Sequence, residues 1–185
     1  MAINPAFLTV LSADIEARRG LFATTARRLG TSERNVEKDF WVSLTLDILF
    51  NGLEPGGPRL LFKGGTSLSK AYGLISRFSE DIDVTVFRDD LGEPGTVEAL
   101  AAMSGNRRNM RLDAIRDACR AYINGPLLAQ LKAAFNAVTA EANHPQAEVA
   151  GDPEDPTGQG LQVSYASITA GDDGYIKPIV RIESG

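Results

Sequence analysis

Apolar residues recur near helical spacing from residue 6 to residue 29. Phe7, Leu8, Leu11, Ile15, Leu21 and Phe22 form the stripe, Arg18, Arg19, Arg27 and Arg28 fall between them, and Gly30 stops the run. Thr31 or Ser32 is placed to cap a second helix that runs to about Leu49. Its Val36, Phe40, Leu44 and Ile48 stand four apart and face inward. These N-terminal helices, 6–50, lead into the loop GLEPGGP. Arg59 to Lys63 is a short apolar run that reads as a buried strand, broken by Gly64-Gly65. Thr66-Ser67 then caps a helix from Leu68 to about Ile75. DIDVTVF at 81–87 alternates: Ile82, Val84 and Val86 on one face, Asp81, Asp83 and Thr85 on the other. Residues 59–87 are thus a strand, a turn, a helix and a strand. Helical period then runs through 96–142, with a break expected at Asn124-Gly125-Pro126. Residues 143–160 read as loop, and LQVSYASI and YIKPIVRIES as two strands of a hairpin over 161–183 joined by TAGDDG. No internal repeat is visible. The pattern predicts an α/β (α+β) fold, a small mixed sheet flanked by helices.

Composition narrows the chemistry more than the fold. The 185 residues fit one domain, and 43% hydrophobic with 23% charged residues is ordinary for a globular chain. The single cysteine, Cys119, excludes an internal disulfide and a Cys-rich zinc site, and it reads as a small buried residue on a helix. The single histidine, His144, argues against a His-based metal centre or a Ser-His-Asp triad; it sits in a Pro-containing loop with no partner in view. A net charge of −5 argues against nucleic-acid binding through bulk positive charge, although a local basic patch remains open. No secretory leader and no apolar run long enough for a membrane span is visible, so the expected location is the cytoplasm.

The informative block is LLFKGGTSLSKAYGLISRFSEDIDVTV, Leu60–Val86. A strand ends in two glycines, which permit close backbone approach to a ligand and positive φ. Two hydroxyls open a helix whose first amides suit phosphate. The next strand carries Asp81 and Asp83 at i and i+2, which puts both carboxylates on one face. Two such oxygen donors side by side repel unless a cation lies between them, and Mg²⁺ prefers carboxylates together with the phosphates of its substrate. Phosphate cradle and metal strand are the equipment for nucleotidyl transfer by a two-metal route. Neither Gly-Gly-Thr nor Asp-x-Asp means much alone; the order of the pieces carries the specificity. There is no G-x-G-x-x-G and no Walker A sequence.

That ordered set resembles the signature of the DNA polymerase β-like nucleotidyltransferase superfamily. More closely, EKDFWVSLTLDILF (Glu37–Phe50), FKGGTSLSKAYGLI (Phe62–Ile75) and RFSEDIDV (Arg77–Val84) are similar to the AbiEii/AbiGii toxin nucleotidyltransferases of type IV toxin–antitoxin or abortive-infection systems. YIKPIVRIESG (Tyr175–Gly185) shares the likeness more weakly. The resemblance implies a polymerase β-like core spanning 1–185 in which Gly64, Gly65 and Thr66 contact nucleotide phosphates and Asp81 and Asp83 bind Mg²⁺. It implies a third catalytic and metal-binding carboxylate, best matched by Glu183. Lys63 flanks the turn and is placed to neutralise phosphate; Arg77 and Ser79 either position the triphosphate or hold the turn. The implied reaction moves a nucleoside monophosphate from an NTP to an acceptor, tRNA or another RNA, or a protein, with a cognate antitoxin as a further partner and no membrane. Members of the family continue past this point with a helical half, so the expectation is that this chain is part of a longer protein.

Two other readings compete. The same scaffold can serve as a non-catalytic module that binds a nucleotide or a partner, or Asp-x-Asp can be incidental to a structural α/β domain. Lesser features carry less weight. Lys70 reads as a solvated helix residue and Trp41 as core. Glu37-Lys38-Asp39 places acid and base near the glycine turn, where they could support the site. Arg107-Arg108-Asn109-Met110-Arg111 is the densest basic cluster, read as a solvated face in preference to a contact for acceptor phosphates.

Overall fold

In the computed structural model, which describes residues 3–70, 81–169 and 177–184, the first helical stretch divides in two. Helix α1 spans Pro5–Ser12 and α2 spans Ile15–Leu29. The single helix expected over 6–29 fails because Ala13 is extended and Asp14 caps a new start, its carboxylate accepting from the Ala17 amide at 2.8 Å. Gly30 closes α2 at φ 66°, where a glycine is favoured. Helix α3, Glu33–Asp47, is capped by Ser32, which accepts from the Asn35 amide at 3.1 Å, and it continues into a π-helical turn at Ile48–Gly52.

Strand β1 (Leu60–Lys63), helix α4 (Gly64–Lys70) and strand β2 (Asp81–Val86) follow in the predicted order. Helices α5 (Val97–Ala101), α6 (Gly105–Tyr122) and α7 (Leu128–Glu141) come next. The break expected at Asn124–Pro126 is absent. The chain passes through Ile123–Leu127 as a π-helical turn, a form that accommodates Pro126 and its missing N–H. Ile123 and Leu127, both fully buried, anchor that turn against the core.

The last elements are β3 (Glu148–Gly151), β4 (Gly160–Ser164) and β5 (Ile179–Ser184). Strand β3 lies inside the stretch expected to be loop. It is a four-residue edge strand whose Val149 alone is fully inward, too short to leave an alternating pattern among Pro, Asp and Glu. The sheet order is β1-β2-β5-β4-β3, parallel between β2 and β5 and antiparallel elsewhere. The five-stranded mixed sheet flanked by helices agrees with the predicted fold class.

One face of the sheet is the core. Ile82, Val84, Leu161, Val163, Val180 and Ile182 meet Val42, Leu44 and Ile48 of α3 and its extension, and Leu131, Phe135 and Val138 of α7. The other face carries the alternate residues of β2 and β5. Among the described residues no helix is long and apolar enough to cross a membrane.

His144, assigned no partner from sequence, is buried against Trp41, with ring centroids 5.7 Å apart. Trp41 itself is core, stacked on Tyr165 at 4.7 Å. His144 Nδ1 is 2.8 Å from the Pro145 carbonyl, and Nε2 meets the Arg18 guanidinium, which can only donate. The ring is therefore neutral. Burial lowers its pKa first and the Arg18 charge adds to that, opposed by the Pro145 carbonyl and by Glu37. The unfolded chain takes up this proton near pH 6.5, and the folded one only at lower pH. Stability should fall as pH drops below roughly 6.5 and be insensitive to this group above it. Thermal melts of wild type and His144→Gln across pH 5–8 check this: the variant should show the shallower acid slope.

Candidate active site

The geometry starts from the register of the two parallel strands. Asp81 stands beside Arg181 and Asp83 beside Glu183, while Lys63 of β1 lies opposite Asp83 on its other side. Because side chains alternate, Asp81, Asp83, Arg181 and Glu183 share the face turned away from the core. The third carboxylate expected from the family likeness is thus brought next to Asp83 although a hundred residues separate them in sequence.

The diglycine turn is built against the same carboxylate. Gly64 has φ 72° and lies so close to Asp83 that a Cβ there would press on Oδ2 and stand 2.6 Å from Cγ and 2.9 Å from Cβ. Only glycine meets both demands. Helix α4 then begins directly, and two hydroxyls fasten it. Ser67 Oγ donates to the Gly64 carbonyl at 2.9 Å, and Thr66 Oγ1 donates to the Asp81 carbonyl. Thr66 is fully buried, and its hydroxyl ties the turn to β2. Gly65 follows Gly64 in the first turn of α4. Lys70 is not simply solvated: its ammonium pairs with Asp39 and lies 3.2 Å from Ser43 Oγ on α3. Arg77 and Ser79 lie outside the described residues.

Two features went unread in the sequence. Arg181 is two positions before Glu183 on one strand, a spacing that forces a shared face. Its guanidinium is engaged with the 152–160 loop, Nε 3.3 Å from Asp152 Oδ2 and Nη2 on Glu154. That loop is held by Asp155, which accepts from the amides of Thr157, Gln159 and Gly160 at 2.6–2.7 Å. Together loop and strand enclose a cleft of about 430 Å³ lined by Asp152, Glu154, Arg181, Glu183 and Ser184 among others, so Glu183 opens onto accessible space. Of the remaining candidates, Cys119 is buried, 3.3 Å from Ser184 Oγ, and Arg111 of the basic cluster is paired with Glu93.

Burial raises the Glu183 pKa first, and the charges of Asp81 and Asp83 push it further, against the pull of Arg181. The three acids therefore repel one another. Among the described residues no group of three or more His, Cys, Asp or Glu side chains is gathered tightly enough to hold a metal by itself. Between the ordinary glutamate value near 4.3 and its raised folded value, the folded chain binds more protons than the unfolded one. Glu183 therefore weakens the fold at neutral pH, and the penalty fades as pH falls through that window. Glu183→Gln should raise the melting temperature at pH 7, with the gain shrinking toward pH 4, while reducing any transfer activity. Paired melts and activity assays of the two proteins check both halves.

The family described as nucleotidyl transferase AbiEii toxin, type IV TA system, matches residues 47–185, most of the chain and all five strands. No curated protein and no solved structure matches it.

Proposed function

The chain belongs to the AbiEii family of nucleotidyl transferase toxins of type IV toxin–antitoxin systems, and from that premise we propose that it moves a nucleoside monophosphate from an NTP to an acceptor hydroxyl with Mg²⁺. The observation that carries this reading is the register that sets Asp83 between Lys63 and Glu183, with Gly64 packed on the Asp83 carboxylate. The glycine turn lies on one side of Asp83, and on the other side Glu183 opens onto the cleft beside the 152–160 loop.

The donor set fits the metal. Asp81 and Asp83 supply hard oxygens from one rigid strand, and Mg²⁺ is commonly held by one or two carboxylates with the rest of its shell from water and substrate phosphate. A preformed three-carboxylate cage is not needed for that. Mg²⁺ held here would lower the pKa of the acceptor hydroxyl and offset the charge developing on the leaving pyrophosphate. The chain's own residues do the rest. With buried Thr66 holding the turn to β2, the backbone of Gly64 and Gly65 is the part of it that would approach the polyphosphate. Lys63 balances its charge beside Asp83. Glu183, its carboxyl biased toward the protonated form by burial and then by Asp81 and Asp83, faces the cleft where an acceptor hydroxyl would lie and can receive its proton. The acceptor is RNA, tRNA included, or a protein side chain, and a cognate antitoxin is the partner that a toxin–antitoxin system supplies.

Incubation with each labelled NTP, Mg²⁺ and either total RNA or a protein lysate tests the reading. Label should pass to a macromolecule, and EDTA should stop it. Retention of all label as free NTP in every combination overturns it in favour of a binding module.

A further inference from the structure

We propose that Lys38 and Asp39 are positioning residues for two elements that carry the nucleotide and metal groups, β5 and α4, and that Glu37 beside them fixes the chain between β4 and β5. The proposal rests on the nucleotidyltransferase reading of the site. Successive residues on a helix point about 100° apart, so three in a row can address three different neighbours.

Glu37 and Lys38 are 2% exposed each. Buried charges are costly unless fully hydrogen-bonded, and apolar residues of similar size commonly stabilise a core better. Here Glu37 is bonded to residues 167–169 and Lys38 to residues 177 and 179. Glu37 accepts from Ser167 Oγ at 2.6 Å, the Ile168 amide at 2.9 Å, the Thr169 amide at 3.2 Å and the Thr169 hydroxyl. That fixes the path leading out of β4. Lys38 Nζ donates to the Lys177 carbonyl at 3.1 Å and to that of Ile179. Ile179 is the first residue of β5, four positions before Glu183, so Lys38 pins the strand whose register sets Glu183 beside Asp83. Asp39 turns instead to α4, where it pairs with Lys70, six positions after Gly64. This last pair is partly solvated and worth little in stability, so its effect is on orientation.

The division of labour predicts distinct signatures. Lys38→Met should loosen β5, with amide exchange of residues 179–184 faster by about tenfold and kcat lower by about tenfold, at nearly unchanged KM for NTP. Asp39→Asn, which leaves the core intact, should raise KM for NTP severalfold with kcat nearly unchanged, and Asp39→Glu should recover most of that loss. Glu37→Gln, which keeps the shape but turns an N–H₂ toward donors, should speed exchange at 167–169. Exchange at these segments equal to wild type in Lys38→Met and Glu37→Gln overturns the proposal, as does a uniform fall in folded fraction with unchanged kinetic constants. The exchange measurements need no turnover. A wild-type chain that transfers nothing would therefore defeat the nucleotidyltransferase reading while these results still decide the positioning roles.

Discussion

Asp81→Ala and Asp83→Ala should each lower transfer from a labelled NTP by about 10³-fold or more while leaving the fold intact. The two carboxylates sit on the outer face of β2, and the strand is held by Ile82 and Val84, which are fully buried on the other. Removing either acid takes nothing from the core. It also removes one of the charges that push the Glu183 carboxyl upward, so Asp83→Ala should melt no lower than wild type at pH 7, while Asp81→Ala gives up an attraction to Arg181 in exchange. Circular dichroism and thermal melts beside the activity assay separate loss of chemistry from loss of structure. A variant that transfers at the wild-type rate removes the acids from the mechanism.

Gly64→Ala should cost about 2–3 kcal/mol of stability and about 10²-fold in transfer. Two effects add. The residue must hold φ 72°, which an L side chain resists by about 1 kcal/mol, and its new methyl would drive into the Asp83 carboxylate. Gly30→Ala is the control, because Gly30 has φ 66° with open space around its Cβ position. It carries the backbone strain alone, so its melting temperature should fall less and its transfer should match wild type. Equal activity losses in the two variants would show that proximity to Asp83 is irrelevant.

The sequence made the site more legible than the architecture around it. Asp81 and Asp83 could be placed on one face because Ile82, Val84 and Val86 mark the opposite face without exception, a pattern set by the pleat alone. Glu183 required more. Its face follows from the apolar Val180 and Ile182 beside it, but its pairing with β2 depends on sheet order, which no local pattern carries. What stayed hidden was long-range. The ring of His144 is completed by Arg18, which is 126 positions away, and the charge of Glu37 by Ser167 and Thr169. A charged residue on a helix reads as solvated until its distant partners are known. Asp14 is masked in the pattern by the apolar stripe that continues across it, although a side chain that bonds its own backbone outweighs periodicity at a single turn. Pro126 is the opposite case, a helix-breaking residue carried inside a widened turn that accommodates its missing donor.

The central claim is that Asp81 and Asp83 bind a divalent cation together with a polyphosphate lodged over the Gly64–Gly65 turn. Calorimetric titration of the chain with Mg²⁺ and each NTP, together and separately, tests it most directly. The account predicts saturable binding that needs both ligands and is lost in the Asp81→Asn, Asp83→Asn double variant. Nucleotide binding of equal strength in that variant, or none in the wild type, would contradict it.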